Sequence, residues 1–350
     1  MLTRFIDKFI QRVAFVIMLC MVMAACSDSD DDAVGAEDVS VAFTLTVADA
    51  ASTRAENDGW DDYSPAQDGI LNENLVNTDD IIIAIYDDKG NKVDNVEDLR
   101  VTTVSDPSIT GATMYAITGV WRNAKPNVDK AKRVMVIANS NVSAWGDPSL
   151  LTYDLNPGKR KYIPMWGVVK IPATLTLGKQ NKLPDIQMLR AMAKVSVSLR
   201  TDMTAYGYSI ASMTVNNYNT RGYCVPKTFN EVDNTSEVRF ANSLNVLDSH
   251  ADKIALPTTA PLYLPEYDNS GTNPATITVN LNRNGKLEGT YTLYFRNYDS
   301  DGKPTGPTYP IQRNHYYQYL IYKETGKIIV TLHVRKWNRR IYPENDGIIM

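Results

Sequence analysis

Cys26 and Arg54 are the residues whose surroundings point most directly to a covalent reaction. Cys26 follows Met23-Ala24-Ala25 at the end of an apolar run. A thiol in that setting is an acceptor for acyl lipid, with the chain cut just before it. The layout is that of a bacterial lipoprotein signal, with Met23 where Leu is more usual. The alternative is a secretory signal cut nearby, which leaves Cys26 a plain thiol. Arg54, in Ala51-Ser52-Thr53-Arg54-Ala55, reads as a site for proteolysis between Arg54 and Ala55, against the bland alternative of an accidental Thr-Arg-Ala.

Other reactive side chains lack the spacing that chemistry needs. Asp28, Asp30 and Asp32 hint at a calcium loop, but Ala33 stands where the turn wants Gly, and no Glu closes the loop. A solvated acidic tether is the better reading. His250, His315 and His333 have no metal-type spacing. No Gly-x-Ser-x-Gly elbow and no glycine-rich phosphate loop is present. Glu266 has no second carboxylate tied to it, so a glycosidase pair is disfavoured. Cys20 would leave with the signal and Cys26 would carry lipid, so Cys224 stands alone and reads as a small buried hydrophobe. No catalytic, cofactor or metal residue is assigned, and the chain is expected not to be an enzyme.

The elements that position Cys26 and Arg54 lie beside them. Arg4, Lys8 and Arg12 form a positive leader, and Val13 to Val22 is an apolar core of signal length. That core is shorter than the roughly 20 residues a membrane span needs. Between the cysteine and the arginine lies Val39-Ser40-Val41-Ala42-Phe43-Thr44-Leu45-Thr46-Val47, an alternating segment. Val39, Val41, Phe43, Leu45 and Val47 share one face, because strand side chains alternate. Burying all five is worth on the order of 10 kcal/mol before entropy, comparable to the whole net stability of a typical domain. A strand placed between an anchor and a cut site can be removed, and the groove it leaves would need another strand. The competing reading is an ordinary edge strand.

The chain has 350 residues, enough for two domains, and a net charge of −4 with no basic stripe, which argues against a nucleic-acid partner. Its 20 tyrosines, with frequent Thr and Val, favour strands over helices. Strands are predicted at Ile81–Tyr86, Thr113–Val120, Arg133–Ile137, Ile163–Gly167 and Val168–Leu177, with a turn at Asp87–Asn91 and a connection over Lys179–Pro184. A second set follows at Val195–Leu199, Ser212–Asn217, Leu262–Glu266, Ala275–Leu281, Gly289–Tyr298 and Ile328–Val334. Arg221-Gly222 and Asn284-Gly285 read as turns, and Asp233–Asp252 as a long loop with a short helical piece. The class is all-β: β-sandwiches, mainly antiparallel, with few short helices.

Several motifs together resemble the fimbrillin family of Bacteroidales, the FimA-like subunits of strand-exchange pili. They are the signal ending at Cys26, Thr53-Arg54-Ala55, Val136-Ile137-Ala138-Asn139, Ile163-Pro164-Met165-Trp166-Gly167 and Leu189-Arg190-Ala191-Met192-Ala193-Lys194-Val195. Tyr263-Leu264-Pro265-Glu266, Arg313-Asn314-His315-Tyr316-Tyr317 and Val334-Arg335-Lys336-Trp337 complete the set. The acidic run likewise resembles the export tag of surface lipoproteins in Bacteroidetes. The resemblance implies two tandem transthyretin-like β-sandwich domains and export as an outer-membrane lipoprotein. It implies cutting after Arg54 by an Arg-specific surface protease, then polymerisation with other fimbrial subunits into an adhesive fimbrium by donor-strand exchange. The chain then divides into residues 1–25 (signal), 26–54 (tether and removable strand), 55–185 (first sandwich, completed by 39–47 before cleavage) and 186–350 (second sandwich with a short tail). The family's stalk subunits carry extra C-terminal strands as donors, whereas only residues 338–350 follow Trp337 here.

The position of such a subunit as stalk, anchor or tip stays open. So does a monomeric surface lipoprotein that binds a host protein or glycan, with Trp60, Trp121 or Trp145 as stacking platforms against the commoner alternative of core packing. Arg190 and Lys194 are expected to pair with nearby carboxylates or carbonyls, His315 to be structural, and His333 to face outward from its strand.

Overall fold

The computed structural model describes residues 35–47, 73–105, 113–142, 151–155, 162–171, 174–226, 229–231, 238–240, 244–258 and 260–336. Cys26, Arg54, Ala55, Trp60, Trp145 and Trp337 lie outside the described residues.

The first nine strands are β1 (Val39–Val47), β2 (Ile81–Tyr86), β3 (Lys92–Ser105), β4 (Thr113–Trp121), β5 (Arg133–Ala138), β6 (Thr152–Asp154), β7 (Met165–Lys170), β8 (Gln180–Lys182) and β9 (Ile186–Arg190). Eight of them form one sheet in the order β4-β3-β2-β5-β7-β9-β1-β8, and β1 pairs with β4 as well, so the sheet closes on itself. Two strands turn its corners. The fourteen-residue β3 pairs with β2 through Lys92–Val96 and with β4 from Glu97 onward, with a register shift between Glu97 and Arg100 where Asp98 takes φ 49°. A bulge of this kind bends a strand and strengthens its twist. At the other corner β9 pairs with β1 through Ile186–Met188 and with β7 through Leu189 and Arg190. Here β7 and β9 come very close: a Cβ on Gly167 would lie 2.6 Å from Ile186 Cγ2 and 2.8 Å from Gln187 O.

The second set is β10 (Ala193–Leu199), α1 (Thr201–Ala205), β11 (Tyr208–Asn219), β12 (Arg221–Tyr223), β13 (Phe229–Glu231), β14 (Val238–Phe240), β15 (His250–Leu256), β16 (Leu262–Leu264), β17 (Thr276–Arg283), β18 (Lys286–Tyr294), β19 (Asn297–Tyr298), β20 (Pro304–Thr305), β21 (His315–Glu324) and β22 (Lys327–Lys336). Two four-stranded sheets result, β16-β10-β21-β22 and β15-β11-β17-β18. Alternation puts Val195, Val197, Tyr317, Tyr319 and Ile321 of the first into one hydrophobic core with Met213, Val215, Ile277, Val279 and Leu281 of the second. Phe295 meets Tyr317 and Tyr319 edge to face, with ring centroids 5.3 and 5.8 Å away. The β17–β18 turn uses Asn284 at φ 50° and Gly285 at φ 78°, the positive pair that a tight hairpin needs. Most pairings are antiparallel; β1 with β8 and β9, and β10 with β21, are parallel. Among the described residues the regular helix is one turn at α1 and one 3₁₀ turn at Val128–Lys130.

The chain is all-β, as the sequence predicts, and several predicted strands lie where expected. Others do not. β3 was not expected, because its polar residues hide the alternation and the bulge at Asp98 shifts its phase. Lys179–Pro184 is not only a connection: Gln180–Lys182 forms β8 against β1. The strand expected to run to Leu177 stops at Lys170. Arg221-Gly222 belongs to β12, which pairs with β6, rather than to a turn. The loop expected over Asp233–Asp252 contains β14 and the start of β15 among its described residues.

Gly167→Ala is expected to destabilise the protein by about 1–3 kcal/mol, because backbone and a packed side chain must give way. Urea unfolding of the purified full-length chain measures it through the transition midpoint.

Candidate functional site

The strand between the two chemically marked residues is hydrogen-bonded on both edges. On one edge, Val39 to Leu45 runs antiparallel against Trp121 to Tyr115 of β4. On the other, Ser40–Ala42 runs parallel to β8 and Leu45–Val47 parallel to Ile186–Met188 of β9. Val39, Val41, Phe43 and Leu45 are fully buried, and Val47 nearly so. The opposite face is covered too over most of its length: Ser40, Ala42 and Thr44 are buried and Thr46 is half-buried. β1 is therefore an interior strand with both faces covered, not an edge strand. Taking it away would expose the ladder groups of β4 on one side and of β8 and β9 on the other, together with the apolar floor beneath it.

One end of β1 is clamped by charge. Asp38 Oδ1 accepts the Asn123 N–H at 2.8 Å and Oδ2 accepts Arg122 Nη1 at 2.9 Å. These two donors hold the carboxyl below its ordinary value of 3.8, the backbone N–H contributing most. Arg122 also binds Asp98 at the bulge of β3. Lys125 Nζ pairs with Glu37 at 2.8 Å, and the Lys125 N–H donates to the Glu37 carbonyl at 3.1 Å. Gly178 N–H donates to Asp38 O at 2.8 Å and Ser40 N–H to Lys179 O at 3.2 Å. The strand also carries a fault: Thr44 Oγ1 is buried with no hydrogen-bond partner, a desolvation cost with no return.

Two buried ion-pair networks, one between this sheet and the second set and one within the second set, account for the scattered motifs. In one, Glu73 Oε1 accepts Lys194 Nζ at 2.8 Å and the Tyr263 hydroxyl at 2.6 Å. Arg190 donates to Glu73 O at 3.1 Å, to Asn314 Oδ1 at 3.2 Å and to Asn74 Oδ1. Burial, then the Glu73 charge, push the Tyr263 hydroxyl far above its usual value, so it stays a donor. In the other, Arg313 binds Glu266 Oε2 through Nε at 2.8 Å and Nη2 at 2.7 Å, and donates to the carbonyls of Cys224 and Tyr223. Arg190 and Lys194 thus meet a carboxylate and carbonyls, as expected, but at Glu73, far off in sequence. His315 is buried with Nδ1 2.8 Å from Arg313 O. His333 is half-buried on β22, at the edge of its sheet. Asn139 of the Val136–Asn139 motif takes φ 64° and donates its side-chain amide to Leu75 O and Ile163 O.

Among the sequence candidates, Trp121 is corrected. It is fully buried and its Nε1–H donates to Asp94 Oδ2 at 3.0 Å, so it offers no face to a glycan. The indole is large and apolar, and its single donor finds a carboxylate at the sheet corner. Sequence reasoning missed the clamp of Asp38, Arg122 and Lys125. Charged residues at strand ends look like ordinary solvated positions until pairing brings them together. Among the described residues no group of His, Cys, Asp and Glu is arranged to hold a metal ion.

No protein-family model matches the chain, and no curated protein matches it in sequence. Solved structures do resemble it. The tip fimbrial protein Mfa3 from Porphyromonas gingivalis, with C-terminal truncation, aligns with TM-score 0.51 at 16% identity, over 86% of this chain and 100% of that one. A fimbrial assembly protein from Parabacteroides distasonis aligns with TM-score 0.49 at 14% identity, over 85% of this chain and 97% of that one.

Removing one partner of a buried pair leaves an uncompensated charge. Arg313→Met should therefore cost about 3–5 kcal/mol, whereas Arg221→Met, which breaks an exposed pair with Asp154, should cost under about 1 kcal/mol. Thr44→Val, nearly the same shape without the orphan hydroxyl, should gain about 1 kcal/mol and raise Tm by a few degrees. Thermal melts of the variants compare all three. Over most of its length the chain has the fold seen in a tip fimbrial protein of the Bacteroidales.

Proposed function

We propose that this chain is a structural subunit of an adhesive surface fimbria, a stalk or accessory component, made as an outer-membrane lipoprotein and activated by losing its first strand. In this reading Cys26 takes lipid and the acidic run serves as export tag and tether. An Arg-specific surface protease cuts between Arg54 and Ala55, and β1 departs. A strand from another subunit then takes its place, with backbone hydrogen bonds giving affinity and alternating side chains giving register.

One observation carries the proposal: β1, which lies in sequence between Cys26 and Arg54, is paired on both edges and buried on both faces. A strand so placed cannot leave without being replaced. Its five large apolar side chains hold on the order of 10 kcal/mol of transfer free energy, enough to drive capture of a substitute. The fold shared with fimbrial proteins is compatible with this role. The buried ion pairs of Glu73, Lys194, Arg190, Glu266 and Arg313 hold no solvent-exposed carboxylate or base for catalysis, which leaves a structural role as the simplest one for these groups.

Limited proteolysis at Arg54 tests the proposal. Cut protein is expected to form species that run as ladders on SDS gels without boiling, and Arg54→Ala protein to stay monomeric. Cut protein that stays monomeric at high concentration, with an unchanged melting temperature, would refute it. On the cell surface, Ala55 is the expected N-terminal residue of the mature subunit.

A further inference from the structure

We infer that the groove around β1 selects its occupant by a charge-and-size code. An acidic residue must lie one position outside the strand, at the mouth made by Trp121–Lys125, next to a run of large apolar side chains alternating with small ones. The inference rests on the reading of β1 as an exchangeable strand and names the chemistry of its replacement: an extended segment of another subunit that carries this pattern.

The acidic requirement comes from the mouth itself. Arg122 and Lys125 stand there with side chains 42% and 61% exposed, so an incoming strand meets them first. The Asn123 N–H, on a residue held at φ 50°, points at the Asp38 carboxylate. Without Asp38 and Glu37 the mouth keeps two cations and a backbone donor, with Asp98 the one carboxylate still bound to Arg122. A carboxylate restores both contacts at once; a neutral or basic residue leaves the donor unmet and sets like charges together. Rim charges act chiefly on partner choice and on the rate of encounter, as a docking signal should.

The size rule comes from the two faces of β1. Large side chains fill the positions of Val39, Val41, Phe43 and Leu45, all fully buried. On the other face Ser40, Ala42 and Thr44 are buried as well, so that side is closed to bulk along this stretch, while Thr46 beyond it is half-buried. The alternation survives in either strand direction because side chains repeat every two residues. The acid only has to lie just beyond the residue that takes the place of Val39. Residues 338–350 of this chain do not carry the code, since Pro343 interrupts the run after Ile341-Tyr342.

The test uses full-length protein cut after Arg54 and fluorescent peptides spanning residues 36–48, followed by anisotropy. The natural peptide should exchange into the groove. A peptide with Asp38→Lys should bind about tenfold more weakly, and one with Ala42→Phe should be excluded. Protein carrying Arg122→Glu should reverse the charge preference and favour the Asp38→Lys peptide. The uncut chain with both swaps, Asp38→Lys and Arg122→Glu, should still unfold in one cooperative transition, which shows that the variants fold. Its melting temperature should be lower, because the Asn123 N–H loses its acceptor and the introduced glutamate faces Asp98. If the natural peptide enters but the Asp38→Lys and Ala42→Phe peptides enter equally well, the code is wrong and the exchangeable groove stands. If no peptide enters, the exchangeable strand is wrong and the code falls with it.

Discussion

Closure of the first sheet depends on one strand. β1 lies between β4 and the pair β8 and β9, and with it in place the ring β4-β3-β2-β5-β7-β9-β1 is closed, β8 pairing with β1 alone. Backbone N–H and C=O groups in an interior cannot be left unpaired, so a closed sheet tolerates no gap. The corners at Asp98 and Gly167, the parallel strand β8 and the packing of Phe43 and Leu45 all presuppose that the position of β1 is filled. In this chain β1 fills it, with backbone pairing on both edges and an apolar face beneath. A strand of nine residues thus holds the whole sheet closed.

The second constraint is the burial of full charges, between the two sets of sheets and within the second. Glu73, Lys194 and Arg190 form one network, Glu266 and Arg313 the other, and each is nearly or wholly shielded from solvent. Such pairs add little net stability over apolar residues of the same size, yet losing one partner is costly. Their value is in specificity: the carboxylate of Glu73 has few acceptable positions, so the chain entering β2 is fixed against β10 and β16. This accounts for motifs that occur together along the chain while being far apart in it. Leu189–Val195 supplies the cations, Tyr263–Glu266 a hydroxyl and a carboxylate, and Arg313–Tyr317 the guanidinium and the amide of Asn314.

The elements that could be read from local pattern were those buried on a regular face. Ile81–Tyr86 is β2 to the residue, and the Asn284-Gly285 turn closes β17 as its residue types demand. The elements that could not were those whose existence depends on a neighbour. Gln180-Asn181-Lys182 has no strand pattern; it becomes β8 because β1 offers a free edge, and the Asn181 side chain donates to Ser40 O. β3 alternates only on either side of a bulge, so its period breaks where the sheet bends.

Sequence alone determined the β class, the apolar face of Val39–Val47, and the placing of that segment between Cys26 and Arg54. These are local quantities: side-chain type, a period of two, and order along the chain. Tertiary structure alone decided that the small-residue face of β1 is covered as well, that the strand is interior, and that Asp38 meets Arg122 84 residues away. The reason is that alternation shows which side of a strand prefers water, whereas pairing partners are chosen by closing the chain over long distances. The free energy of that choice resides in contacts that no local window contains.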